Sequence, residues 1–175
     1  GSSLAVHGDV VVVNVNHRLN VLGYAHMPDS GEQFLSSGNV GILDIELALH
    51  WVKDNIERFG GDPKRVLVFG QSGGGGKVCT LWSMPSARGL FHRAAIQSGA
   101  TRRLRSVEDG VGASERLLKS LNLKPNQARE LQRLPLAQVM AANFELAKKP
   151  ALPGAPNNFA PVYDNRLVTR QPFDP

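Results

Sequence analysis

The chain has 175 residues, 42% of them hydrophobic and 20% charged, with a formal net charge of +5. That is apolar material enough for one core, so the sequence reads as one domain or part of one. The positive charge is scattered, densest at Arg102, Arg103 and Arg105, and lacks the aromatic-interleaved basic stripe of a nucleic-acid binder. Cys79 is the only cysteine, which excludes an internal disulfide or a cysteine-based metal site and leaves it to pack as a small apolar residue. No apolar stretch approaches membrane-spanning length. The N-terminus has no signal-peptide pattern, and it lacks an initiator methionine while entering a predicted strand by Val10, so the chain reads as an excised piece. Compartment and oligomeric state are therefore not set by it.

Val10 to Val15 is a β-branched run ending at Asn16, the composition of a central parallel strand. Residues 24–38 carry Pro28, Asp29, Ser30, Gly31, Ser36, Ser37 and Gly38, which favour turns. Ile42, Ile45, Leu49, Val52, Ile56 and Phe59 then recur at spacings of three and four, predicting the apolar face of a long helix that Gly60 and Gly61 stop. Arg65 to Phe69 is the next strand, apolar enough to be covered on both faces, so strand, helix and strand predict a right-handed parallel crossover. A short helix is expected from Gly76 to about Ser83, and a third parallel strand within Arg93 to Gly99. From Val107 to about Ala147 the apolar spacing is helical, with Pro125 and Pro135 placed to start new helices. Proline-rich residues 150–175 read as extended and loop-like. The fold class is α/β, with parallel strands, crossover helices and a helical C-terminal portion.

The chemistry concentrates where the second strand meets the helix after it, at Phe69-Gly-Gln-Ser-Gly-Gly-Gly-Gly-Lys-Val78. G-x-S-x-G between a strand and a helix is the pattern of a nucleophile elbow, with Ser72 raised above the sheet edge. Gly70 and Gly74 are expected because side chains there would collide across the bend. Gly73 would supply a backbone N–H at a helix start, suited to holding an oxyanion. A phosphate-cradling loop is the competing reading, but five residues separate Gly70 from Gly76-Lys77 where that motif has four, and Val78 replaces its magnesium-binding hydroxyl. His7, His17, His26 and His50 precede the serine and show no metal-ligand pairing, so they are read as structural or solvated. His92 is the only later histidine, and no Asp or Glu lies between it and Ser72, so it too is read as structural rather than as a general base.

Consecutive blocks give the sequence a family likeness: Asp9 to Leu19, Gly38-Asn-Val-Gly-Ile-Leu-Asp44, Ala48 to Ile56, Phe59-Gly-Gly-Asp-Pro63, the elbow, and Arg88 to Gly99. In order and spacing they resemble type B carboxylesterases, the group that includes cholinesterases and bacterial nitrobenzyl-ester hydrolases, and Phe159 to Asp164 resembles a later block. The resemblance implies an α/β-hydrolase fold and cofactor-free hydrolysis of small carboxylic esters. On that reading residues 1–100 are the nucleophile-bearing core and 101–175 a helical and loop region of the same domain. Gln71 stands where the family usually has Glu, and Gly73 where it has Ala. Losing the carboxylate weakens any preference for cationic substrates, while the Gly73 N–H is unaffected. Arg18 and Asp44 match a buried ion pair, with two separate surface charges as the alternative. Ser98 matches a serine near the family's catalytic histidine, and support of that histidine or a simple strand-end turn are equally open. The upstream His-Gly-Gly-Gly segment and the acid and histidine of the triad have no match, so the isolated chain is expected to be inactive. A non-catalytic, adhesion-type member of the same fold is the rival reading.

Overall fold

The computed structural model describes residues 1–149 and 158–174. The predicted long helix is there as α3 (Val40–Asn55), extended by a 3-10 turn over Ile56–Phe59 and stopped at Gly60, whose φ of 82° suits a residue without a Cβ. Ile42, Leu49, Val52 and Ile56 are buried as the spacing predicts. Phe59 is not. It is 60% exposed and rests its ring against Trp51 at 5.7 Å, because the 3-10 turn carries it off the buried stripe. Residues 28–39 form three 3-10 turns, in keeping with their turn-rich composition. Two short helices, α1 (Ser2–Gly8) and α2 (Asn20–Tyr24), have no counterpart in the sequence reading.

β1 (Leu67–Gln71) and β2 (Arg93–Gln97) pair in parallel with Gln71 opposite Gln97, and α4 (Gly73–Trp82) connects them across one face. Val10 to Val15, expected as a central strand, takes no strand pairing among the described residues. It lies across a gap of about 590 Å³ from Leu67, Val68 and Phe69, with Val10, Val11, Val13 and Val15 exposed. The β-branched run supplies the side-chain pattern of a strand, but a ladder also needs a partner's backbone at hydrogen-bonding distance, which is nonlocal. The crossover expected around α3 is therefore not closed by hydrogen bonds. Coverage of β1 is also one-sided: Val66 and Val68 pack on the core, whereas Leu67 and Phe69 are each 52% exposed.

The core lies on the helical side. Ile42 and Leu49 of α3 and Leu81 of α4 join Leu117 and Leu118 of α5 (Val107–Ser120), Leu131 of α6 (Ala128–Arg133), and Val139 and Leu146 of α7 (Leu136–Lys148). Pro135 sits immediately before α7, as predicted, while α6 begins three residues after Pro125. Cys79 is buried as a free thiol. Residues 158–174 hold one isolated bridge, Arg105 to Val162, and otherwise only turns and irregular chain; the rest of the loop expected over 150–175 lies outside the described residues.

One buried side chain ties that segment down. Asn39 accepts a hydrogen bond from Val162 N–H at 2.9 Å and donates to the Val162 carbonyl at 2.8 Å and to Asp164 Oδ2 at 3.0 Å. Asp164 Oδ1 in turn accepts the N–H groups of Arg166, Leu167 and Val168. The block from Phe159 to Asp164 is thereby anchored at the N-terminal end of α3.

Candidate active site

Ser72 occupies the turn between β1 and α4 with φ 53° and ψ −118°, a conformation that residues with a Cβ rarely adopt. Two backbone hydrogen bonds hold it: Ser72 N–H donates to Gln97 O at 2.7 Å, and Gly76 N–H donates to Ser72 O at 3.1 Å. α4 begins directly at Gly73, three residues earlier than expected, although four consecutive glycines favour helix poorly. Tertiary contact overrides propensity here, for the first turn of α4 is pressed against both strand ends. A Cβ at Gly70 would stand 2.5 Å from the Gly74 carbonyl oxygen, and one at Gly99 would stand 2.6 Å from the Ser72 carbonyl carbon. Those two positions tolerate no side chain.

Gly74 corrects the sequence reading. A Cβ there meets nothing within 4 Å, so the collision across the bend is carried by Gly70 alone; Gly74 contributes its backbone, and its missing side chain would point into open space. Gly99 was legible only as a strand terminator, yet it is the closer contact to the serine. At Gly73 a Cβ would meet Lys77 Nζ at 3.7 Å, ordinary contact, which explains why alanine can serve in its place.

Ser72, Gly73 and Gln71 are all exposed at the C-terminal end of the strands, and Ser98 sits beside them with φ 51°, one residue beyond β2. Two strained serines thus terminate adjacent parallel strands in register. No hydrogen bond joins the Ser98 hydroxyl to a partner among the described residues, so both roles considered for it stay open. The histidines lie elsewhere. His92 accepts Val66 N–H at Nδ1 at 3.3 Å and returns its own N–H to the Val66 carbonyl at 2.9 Å, which places it at the opposite ends of the strands. At about 3.3 Å per residue the extended run from Val66 to Ser72 keeps it roughly 20 Å from the serine. His7 bonds the Ser3 carbonyl in α1, His50 is exposed on α3, and His26 is buried beneath Gly38. Among the described residues, no hydrogen bond connects a histidine to Ser72.

Two charged features flank the elbow. Arg18 and Asp44 pair as the sequence suggested, through Nη2 to Oδ1 at 2.6 Å and Nε to Oδ2 at 2.8 Å, and Asp44 Oδ2 also accepts the Arg18 backbone N–H at 2.9 Å. The pair is not buried: the side chains are 54% and 25% exposed. Arg18 lies three residues beyond the apolar segment that ends at Val15, and its guanidinium is exposed among the described residues. The hydrogen bond from Arg18 holds the Asp44 carboxyl below the usual carboxylate range. On the other side, half-buried Lys77 donates from Nζ to the Gly73 carbonyl at 3.2 Å, 5.9 Å from the centre of the Tyr24 ring. Burial lowers its pKa. Burial, and then the Lys77 charge, likewise lower that of His17, whose Nε2 has no hydrogen-bond partner among the described residues.

Among the described residues no group of three or more His, Cys, Asp or Glu is arranged to hold a metal ion, and no helix is long and apolar enough to cross a membrane. What the arrangement offers is the exposed Ser72 hydroxyl on a strained turn, with a backbone N–H and a helix start beside it.

The carboxylesterase family model matches residues 1–175. The para-nitrobenzyl esterase of Bacillus subtilis is 39% identical over 146 residues, 83% of this chain and 29% of that protein. A probable N-octanoylanthranilate hydrolase of Rhodococcus erythropolis is 40% identical over 165 residues, 94% of this chain and 34% of that protein. The crystal structure of the Geobacillus stearothermophilus carboxylesterase EST55 superposes with a TM-score of 0.88 at 42% identity, covering 98% of this chain and 35% of that one. The chain thus spans about a third of the length of these relatives. With the elbow geometry and the match over its whole length, it belongs to the carboxylesterase family and carries part of the α/β-hydrolase fold.

Proposed function

We propose that this chain is the nucleophile-bearing portion of a serine hydrolase that cleaves small carboxylic esters through an acyl-enzyme. The strained, exposed Ser72 between β1 and α4 carries the reading. Ser72 Oγ adds to the ester carbonyl and passes its proton to a base; the carbonyl electron pair becomes an oxyanion facing Gly73 N–H; collapse expels the alcohol, and water then hydrolyses the acyl-serine. The triad base and acid are supplied from outside these 175 residues, in keeping with the roughly 20 Å that separates His92 from the serine. By itself the chain is therefore expected to hydrolyse activated esters barely above buffer. Two relatives are named for different bonds, an ester in one and an N-acyl group in the other, so the acyl transfer common to both is the firmer part of the reading.

The test is ester turnover by the full-length protein and its Ser72→Ala variant. Several orders of magnitude should be lost, since only binding and oxyanion stabilisation survive without the nucleophile. Equal turnover would refute the role of Ser72, and a folded wild-type protein with no hydrolytic activity would return the adhesion-type reading.

A further inference from the structure

The charges around the elbow are lopsided. Gln71 puts a neutral amide beside the nucleophile. Lys77 sets its ammonium against the residue that follows the nucleophile, 3.2 Å from the Gly73 carbonyl and 3.7 Å from where a Cβ on Gly73 would stand. No carboxylate among the described residues pairs with it. Asp44, the acid that acts on the neighbouring His17 and Tyr24, is engaged twice by the Arg18 guanidinium. The chain leaving β2 adds to the same sign: Gly99 touches Ser72, Thr101 Oγ1 stands 2.8 Å from a Cβ at Gly76, and the exposed Arg102 follows, while the next residue, Arg103, faces Asp174 at 3.9 Å. A half-buried cation with no counter-ion among the described residues, one helical turn from an exposed hydroxyl, makes this rim electropositive beyond what the start of α4 supplies.

From this arrangement we infer that Lys77 is a specificity-determining residue, which with the neutral Gln71 biases the site toward esters bearing an anionic group, such as a carboxylate on the leaving alcohol. The inference rests on the ester-hydrolase reading above and deepens it. The ammonium acts through space on the charge of the bound substrate while its hydrogen bond to Gly73 fixes its position. An arginine could keep the charge, and an unbranched apolar side chain could keep only the packing.

Hydrolysis of para-acetoxybenzoate and its neutral near-isostere para-acetoxybenzamide by the full-length protein tests this, with kcat/KM measured for wild type, Lys77→Met and Lys77→Arg. The wild type should favour the anion, Lys77→Met should lower the anion-to-amide ratio about tenfold, and Lys77→Arg should retain most of it. Rising salt should lower the wild-type ratio as well, which tests the claim even if Lys77→Met fails to fold. A ratio unmoved by salt, or unmoved in a folded Lys77→Met, would overturn the inference while Ser72-dependent hydrolysis of the amide-bearing ester left the ester-hydrolase reading standing. If neither ester is hydrolysed while another activated ester is turned over in a Ser72-dependent way, the inference falls and the ester-hydrolase reading stands.

Discussion

The elbow and the Asn39 tether are both close-packed, and they are tight by opposite means. At the elbow side chains are removed so that backbones can touch: Gly70 lies on Gly74, and Gly99 on Ser72. At the tether one side chain, fully buried, is kept to satisfy the backbone of a segment more than a hundred residues away. A glycine contact fails when atoms are added and a buried amide fails when they are taken away, so the two regions should respond to alanine for opposite reasons.

The sharpest break in that comparison is alanine at Gly70 or Gly99. Each Cβ would enter the van der Waals shell of a neighbouring backbone that cannot rotate away, so a loss of about 3 kcal/mol or more is expected, read as a lowered denaturant midpoint of the full-length protein. Near wild-type midpoints would mean that the turn can open without cost. Asn39→Ala comes next. It strands the Val162 N–H and carbonyl in a buried setting, for about 2 kcal/mol, and hydrogen exchange should quicken over residues 158–168 before it does in β1. Uniform exchange across both regions would deny that the tether is local.

Asp44→Ala should cost only about 1 kcal/mol, because the exposed Arg18 head is screened by water. Its pH dependence has a definite sign. The folded pKa of Asp44 is depressed, so its stabilisation is complete above the ordinary value of 3.8 and is lost as pH falls through the lower folded value. A variant that differs from wild type equally at all acidic pH would rule out the pair as the source. Smallest of all, Gly74→Ala should leave stability unchanged or raise it by about 0.5 kcal/mol, since its Cβ meets open space within a helix. A large loss there would erase the distinction drawn between Gly70 and Gly74.

What could be read from the sequence follows the same division. The elbow, β1, β2 and α3 were legible because their causes are local: a β-branched or apolar run, a helical stripe, a serine flanked by glycine. Asn39 was not, although it lies within Gly38 to Asp44, because nothing in a linear pattern marks an asparagine whose partner is 123 residues away. The early start of α4 contradicts the propensity of four glycines and makes sense only once Gly99 is seen against Ser72. Val10 to Val15 fails in the other direction, with a strand's composition but no ladder. Arg18 and Asp44 could be paired by position, but whether they are buried depends on how much protein covers them, which spacing does not encode. The polar contact of Lys77 is not legible in the sequence because lysine four residues after glycine carries no motif of its own.

The account stands or falls on Ser72 becoming acylated. The full-length protein, mixed with an activated ester and quenched in acid within the first turnovers, can be digested and mapped by mass spectrometry. One acyl adduct is expected, on the peptide containing Ser72, appearing no more slowly than the alcohol is released. Steady hydrolysis with Ser72 unmodified, or with the adduct on another residue, would contradict it.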